Sequence, residues 1–485
     1  MKSDASKAFP VATEALKNAL GGEAVRTDAE ALFAASFDNT KLSFLPEAVV
    51  FPRDENDIAT TLKLAYAHGV PVTVRGAGSG TTGAAAPVCG GWVVSLAHWT
   101  KCEIDADSAL ALVEPGVVTQ AISDAAREHG LFYPPDPASV KHCTIGGNIA
   151  TNAGGLRAAK YGVTRDYVVA LEGFLPTGEK VRWGGKVKKF VSGYNLRDLW
   201  VGAEGTLGII TRAVLRLEPI PEARHTFLCM FAGDASGLRA SQALLRERVN
   251  PSVLEFMDAL SVRCALEEKG ETISGIECGD SVLLVEIDGS RAELEPAIEK
   301  VRAWAKKYAR VFHETSDSAE AEKLWEIRRA CSPAMFRLAN SKLNEDIVVP
   351  LENYIPLFDA MRDITRETGL QTPIFGHAAD GNFHVHIMYN RENPRERDLA
   401  QKAIFRVMKS VVDLGGVITG EHGIGLAKSP FLALQHTSAE IEAMRAVKKA
   451  LDPKNILGRG KIFEAFNVWN CEPVSVKLPW DRKKA

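Results

Sequence analysis

Five glycines, Gly146, Gly147, Gly154, Gly155 and Gly162, fall within 17 residues of the stretch YPPDPASVKHCTIGGNIATNAGGLRAAKYGVTRDYV, with Asn148 and Asn152 among them. Every glycine costs backbone entropy on folding, so a bare packing role accounts poorly for such density. Backbone lying against a flat polar ligand accounts for it better. Upstream, VRGAGSGTTGAAAP contains Gly78-Ser79-Gly80-Thr81-Thr82-Gly83, which formally fits G-x-G-x-x-G. The dinucleotide fold needs a long helix directly after that motif. This chain instead reaches Pro87 and then the strand-like GGWVVSL, so that fold is set aside. What remains is a turn-rich loop after a strand, whose N–H groups can still cradle a pyrophosphate. Arg75 could add charge there or simply face solvent. Downstream, WVGAEGTLGIITRAVLRL runs Gly202, Gly205 and Gly208 into a β-branched strand, an edge of backbone donors and acceptors that could read a heterocycle.

The surrounding pattern is α+β. PRDENDIATTLKLAYAHG opens with acids, spaces Ile58, Leu62 and Ala65 on one face and stops at Gly69, which predicts an amphipathic helix. VPVTVRG and GGWVVSL read as strands. From residue 223, HTFLCMF, SVLEFMD and SVLLVEIDG are strand-like, and they alternate with the helical GLRASQALLRERV and ELEPAIEKVRAWAKKYA. That order resembles a ferredoxin-like split β-α-β arrangement. A chain of 485 residues has room for roughly three domain equivalents. Its net charge of −3 gives no global basic bias toward nucleic acid or an anionic membrane surface. No apolar run approaches membrane-spanning length, and MKSDASKAFP lacks a signal-peptide core. A cytoplasmic location is expected, with association at the inner-membrane surface left open. Eight cysteines without a C-x-x-C argue against an iron–sulfur cluster or a cysteine zinc site.

The second half concentrates histidine. FGHAADGNFHVHIMYN places His377, His384 and His386 within ten residues, and the last two, two apart on a strand, face the same side. ITGEHGIGLAK adds Glu421 and His422. Two histidines and a carboxylate suit a divalent metal with open positions, or a polar network without one. Asn382, in the DGN turn, reads as structural. LWEIRRACSPAMFRLANSKLNEDIVVP offers the arginines Arg328, Arg329 and Arg337, the last two with the spacing of ordinary helix-face charges.

Taken together, RGAGSGTTGAAAP, PPDPASVKHCTIGGNIATNAGG, YGVTRDYV, VSGYNL and VGAEGTLGIIT closely resemble the FAD-binding domain of the vanillyl-alcohol-oxidase type of flavoproteins. The second half resembles their FAD-linked oxidase C-terminal domain. Within that superfamily the chain resembles the group of glycolate oxidase flavoprotein subunits, D-lactate dehydrogenases and D-2-hydroxyglutarate dehydrogenases. The resemblance implies an α+β fold: a two-subdomain FAD-binding domain over residues 45–221, then a substrate (cap) domain containing a ferredoxin-like part over 222–466. The segment from about 438 to 466 would pack back on the FAD domain, and 467–485 would form a tail.

The resemblance also implies roles. Arg75, Gly76, Ala77, Gly78, Ser79, Gly80, Thr81 and Thr82 would wrap the FAD pyrophosphate. Asp136, Pro137, Ala138, Thr144, Gly147, Asn148 and Asn152 would line flavin and ribityl chain, Gly155 and Gly162 would complete that cofactor-binding loop, and Glu204, Gly205 and Ile210 would lie along the adenosine end. His142 does not sit where a covalent attachment residue is expected, so FAD is expected to be non-covalent. His377, His384 and Glu421 would bind a divalent metal, zinc or manganese. His422 would be the general base. Arg328, Ser332, Lys342 and His386 would bind substrate, with Arg328 taking the carboxylate.

The implied reaction oxidises a small D-2-hydroxy acid, glycolate or D-lactate, to the 2-oxo acid by hydride transfer to flavin N5. A metal on the hydroxyl stabilises the alkoxide, a histidine accepts the proton, and a bidentate arginine suits the carboxylate. Asn344 stands where the hydroxyglutarate enzymes carry a lysine, and Lys342 lies two residues earlier, which favours a monocarboxylate. GEHGIG lacks the run of histidines found in the alkyl-dihydroxyacetone-phosphate synthases of the same superfamily. Electrons would pass to a quinone, a cytochrome or partner subunits of flavoprotein-like and iron–sulfur type, and self-association is open. A D-2-hydroxyglutarate dehydrogenase and a non-catalytic flavin-binding subunit are the alternatives.

Overall fold

The structure, a computed structural model, describes residues 9–471, so most of the expected tail, 472–485, lies outside the described residues. The chain forms two compact units. The first comprises residues through Gly155, Val163–Ile220 and Glu421 onward; the second comprises Leu156–Gly162 and Pro221–Gly420.

The first unit holds two main sheets. In the smaller, the strands run in the order Val25–Arg26, Ala48–Val50, Trp92–Ser95, Val72–Arg75, with the last three parallel to one another. The crossover between Ala48–Val50 and Val72–Arg75 is the expected helix, Glu55–His68. Asp54 caps it by accepting from the amides of Asn56 and Asp57, and Gly69 ends it in the left-handed conformation. Ile58, Leu62 and Ala65 are fully buried against Val50, Val72, Trp92 and Val94. Truncating one of these large side chains to alanine would cost about 2–5 kcal/mol. The larger sheet is antiparallel, in the order Cys102–Asp105, Leu110–Val113, Ile209–Arg216, Val168–Phe174, Lys180–Gly184. The chain returns to the smaller sheet at its end, where Leu457 bridges Val72 and Gly458 N donates to the Val72 carbonyl.

The second unit is built on one seven-stranded antiparallel sheet. Its order is Val311–Thr315, Ala223–Ala232, Asp280–Gly289, Val253–Met257, Ile374–His377, Asn382–Tyr389, Ser341–Val348. The first four have the 4-1-3-2 order of a ferredoxin-like sheet, with Ala259–Lys269 as an added helix. The other three extend it. Glu255 is opposite His377, His377 opposite Asn382, Phe375 opposite His384, His384 opposite Asp346, and His386 opposite Asn344. Because side chains alternate along a strand, this register collects Glu255, His377, His384, His386, Asp346 and Lys342 on one face. Helices Ala259–Lys269 and Ser318–Ala334 pack over part of that face through Cys264, Ala265, Ile327 and Cys331, against Leu284, Phe375 and Met388. The opposite face is aromatic and apolar, with Phe256, Phe358 and Phe383 in edge contact. Among the described residues no helix is long and apolar enough to cross a membrane.

Candidate active site

In the first unit the glycine stretches build one cradle. Strand Val72–Arg75 runs into the loop 76–83, and a Cβ on Gly76 would strike Thr144 Oγ1 at 2.5 Å, so the first and second stretches lie in contact. Thr144 starts the short helix Ile145–Thr151, and Asn148 inside it donates from Nδ2 to Thr119 Oγ1 at 2.7 Å. Asn152 ends that helix in a left-handed turn and accepts from the Arg165 amide at 2.9 Å. Gly155, at φ +153°, runs so close to Asp136 that a Cβ would lie 2.6 Å from its carbonyl carbon.

Part of the glycine density therefore serves close packing within the protein, a larger share than the sequence suggested. The signature of a ligand is elsewhere. The hydroxyls of Thr81 and Thr144 are buried with no hydrogen-bond partner among the described residues. Buried hydroxyls are nearly always partnered, so two orphans in one glycine-built cradle fit a bound polar group. The Arg75 guanidinium is used internally: it donates to the Phe37 carbonyl at 2.7 Å and folds against Gly78. Ala77 and Ala138 are exposed, Pro137 is buried, and Gly205 packs near Val74. Ile210 lies in strand Ile209–Arg216, opposite Gly173. Gly162 groups with the second unit. His142 is exposed.

Glu204, expected at an adenosine end, is buried and holds the turn after His422. It accepts from Ile424 N and Gly425 N, each at 2.8 Å. Thr82 clamps the same turn, its carbonyl accepting from Leu426 N at 2.7 Å and Ala427 N at 3.0 Å. The Thr82 hydroxyl donates to the His422 carbonyl at 3.3 Å. Glu421 lies beside Gly154, and His422 Nε2 stands 3.8 Å from Glu421 Oε1. Burial pushes the Glu204 carboxyl up to about 7, against the pull of the two amides. A carboxyl whose pKa rises on folding stabilises the folded state while protonated, and that contribution disappears as pH rises through the folded value. The melting temperature of wild-type protein relative to Glu204→Gln should therefore fall between about pH 5 and about pH 7.5. Circular dichroism melts across that range check this; parallel curves refute it.

In the second unit Arg328, on helix Ser318–Ala334, is 8% exposed and donates from Nε to Glu255 Oε2 at 2.6 Å. Its guanidinium carbon lies 4.6 Å from the Phe375 ring centre. The other Glu255 oxygen pairs with His377 Nδ1. Glu255 is fully buried; burial would raise its carboxyl, but His377 and Arg328 outweigh that and hold it at about 2. The rings of His377 and His384 meet edge to face at 5.5 Å. His386 stacks on Phe375 at 4.7 Å, and burial, with the nearby Lys342 and Arg328 charges, drives its ring down to about 3, so it is neutral. Its Nδ1 has no hydrogen-bond partner among the described residues. Lys342 donates to the Ser332 hydroxyl at 2.7 Å and carbonyl at 2.9 Å. Arg329 pairs with Glu322, and Arg337 with Glu267 and Glu268, all at the surface.

Two carboxylates escaped the sequence reading. Glu255 stands alone among apolar residues in VLEFM, and an isolated acid in a buried strand signals a partnered charge. Asp346, fully buried, accepts from Asn382 Nδ2 at 2.6 Å, Thr419 Oγ1 at 2.9 Å and Gly420 N at 2.9 Å. It anchors the segment that leads into Glu421, and Asn382 is its partner.

Residues 46–184 match an FAD binding domain and residues 220–462 match the C-terminal domain of FAD linked oxidases. The chain belongs to the FAD-linked oxidase family, flavin-dependent oxidoreductases with the vanillyl-alcohol-oxidase fold. It is 39% identical over 431 residues to "Glycolate oxidase subunit GlcD" of Bacillus subtilis, covering 88% of this chain and 91% of the relative. It is 34% identical over 428 residues to a D-lactate dehydrogenase of Anaerostipes hadrus, covering 86% and 89%. Among solved structures, p-cresol methylhydroxylase with substrate bound superposes with a TM-score of 0.79 at 18% identity, over 94% of this chain and 97% of that one, a likeness of fold.

Proposed function

We propose that this chain oxidises a small D-2-hydroxy acid, glycolate or D-lactate, to the 2-oxo acid. The observation that carries the reading is Arg328: a buried cation whose Nε is held by Glu255 while its two terminal nitrogens make no hydrogen bond among the described residues. Such a guanidinium is set to take a carboxylate bidentately. The names of the relatives, a glycolate oxidase subunit and a D-lactate dehydrogenase, agree with it. Lys342 is already engaged by Ser332, which favours a monocarboxylate over a hydroxyglutarate. The neutral His386 adds a polar contact without a competing charge.

The glycine cradle would hold FAD non-covalently, and FAD when bound accepts the hydride. His377, His384 and Glu421 would hold a divalent cation; each offers one ligand atom, and these lie within 4.8 Å of one another. Such a cation when bound stabilises the alkoxide form of the substrate hydroxyl. His422 takes the hydroxyl proton, and Arg328 fixes the carboxylate. Electrons leave to an acceptor outside this chain, a quinone, a cytochrome or a partner subunit, with the protein in the cytoplasm or against the inner membrane. Anaerobic titration of the yellow protein with glycolate, D-lactate, L-lactate and D-2-hydroxyglutarate, followed near ~450 nm, tests the reading. Bleaching by glycolate or D-lactate is expected. A flavin that only D-2-hydroxyglutarate bleaches moves the substrate to the dicarboxylate, and one that none of them bleaches overturns the assignment.

A further inference from the structure

The VSGYNL motif lies in a loop that projects from the first unit between strand Lys180–Gly184 and helix Leu196–Trp200. Residues 186–195 are all exposed, a run of ten. Val187 is 56% exposed, Phe190 52%, Val191 94% and Tyr194 93%. Val187 and Phe190 fold back toward Gly185, and Val191 and Tyr194 follow within the same ten-residue exposed run. From Lys180 to Arg197 the chain carries six cations and no acid, in a protein of net charge −3. Lys180 pairs with Glu55 and Arg197 with Asp198. Arg182, Lys186, Lys188 and Lys189 have no ionic partner among the described residues.

We propose that this loop docks the protein onto an anionic lipid surface, with Phe190, Val191 and Tyr194 entering the headgroup layer and Lys186, Lys188 and Lys189 pairing with lipid phosphates. Clustered aromatic and aliphatic side chains flanked by lysine are the composition of interfacial membrane segments. A protein partner fits less well, because lysine is depleted at protein interfaces. The loop follows a strand of the cofactor-binding unit, so docking brings a reducible membrane pool to the part of the protein that holds the flavin. The inference deepens the proposal of an acceptor outside this chain and rests on it for its purpose alone: vesicle binding and hydroxy-acid turnover are read separately.

The test is sedimentation of the FAD-loaded full chain with phosphatidylcholine vesicles, with and without phosphatidylglycerol. Binding is expected only with phosphatidylglycerol, weakening in high salt. The triple substitution Lys186→Gln, Lys188→Gln, Lys189→Gln should reduce it roughly 100-fold. The pair Val191→Ser, Tyr194→Ser should reduce it as well. Both variants should keep flavin absorbance and turnover with a soluble dye, which shows that they are folded. Wild-type protein that ignores the anionic vesicles, or variants that bind them equally well, overturn the proposal. Self-association lost in the Val191→Ser, Tyr194→Ser variant, without vesicle binding, assigns the loop to a second copy of the chain and also overturns it.

Discussion

Replacing Glu255 by glutamine should lower the affinity of the protein for divalent metal roughly 10–100-fold and raise KM for the hydroxy acid in the same variant. The two effects share one cause. Glu255 accepts from His377 at one oxygen and from Arg328 Nε at the other. The first bond holds the His377 ring by Nδ1, so Glu255 sets the orientation in which that ring meets the proposed cation. The second fixes the guanidinium edge and leaves the terminal nitrogens for a carboxylate. Glutamine keeps the shape but offers one acceptor and an amide donor, so either His377 or Arg328 meets a donor instead of an acceptor. Glu255→Leu is harsher, since a buried Arg328 without a counter-charge costs about 3–5 kcal/mol of stability. Metal content by mass spectrometry after dialysis, with KM and kcat measured separately, reads the glutamine variant. If metal content and KM both match wild type, Glu255 is only a packing residue. If the protein still holds no metal when wild type does, yet KM is unchanged, the coupling between the two groups is wrong while the metal assignment survives.

Glu255 also shows what the sequence conceals. The helix Glu55–His68 and the faces of strand Asn382–Tyr389 are legible because their signals are local: a cap, a glycine stop, an alternation of two. His384 and His386 face one side for that reason. Glu255 finds its partners 73 and 122 residues away, and only the sheet order places it opposite His377. The same holds for Asp346, which reaches 73 and 74 residues ahead to Thr419 and Gly420. The glycines were legible as a cluster, but not which of them face a ligand and which make room for Thr144 or Asp136. That division depends on which segments approach, and no spacing encodes it. For Glu204 the resemblance implies a place along the adenosine end, and no local signal announces the two backbone amides, 220 and 221 residues on, that its carboxylate holds.

Substituting His422 by alanine should lower kcat by ~100- to 10,000-fold with FAD retained and KM changed little. The size follows from the role, since removing a positioned base costs the proton transfer and leaves substrate binding to other groups. The small effect on KM follows from Arg328, which the substitution leaves untouched. Retention of FAD follows from how the segment is held. The turn after His422 is fastened by backbone bonds to Glu204 and Thr82, so the imidazole can be removed without releasing the chain. The Thr82 hydroxyl also bonds the carbonyl of residue 422, which alanine keeps. The pH dependence of kcat/KM separates a base from a space-filler. The acidic limb seen with wild type, where the base becomes protonated, should vanish in the alanine variant, and added imidazole should restore part of the rate. A variant that loses rate but keeps the wild-type acidic limb would place the base elsewhere and leave His422 as a positioning residue. A variant that turns over at the wild-type rate would remove His422 from the chemistry altogether.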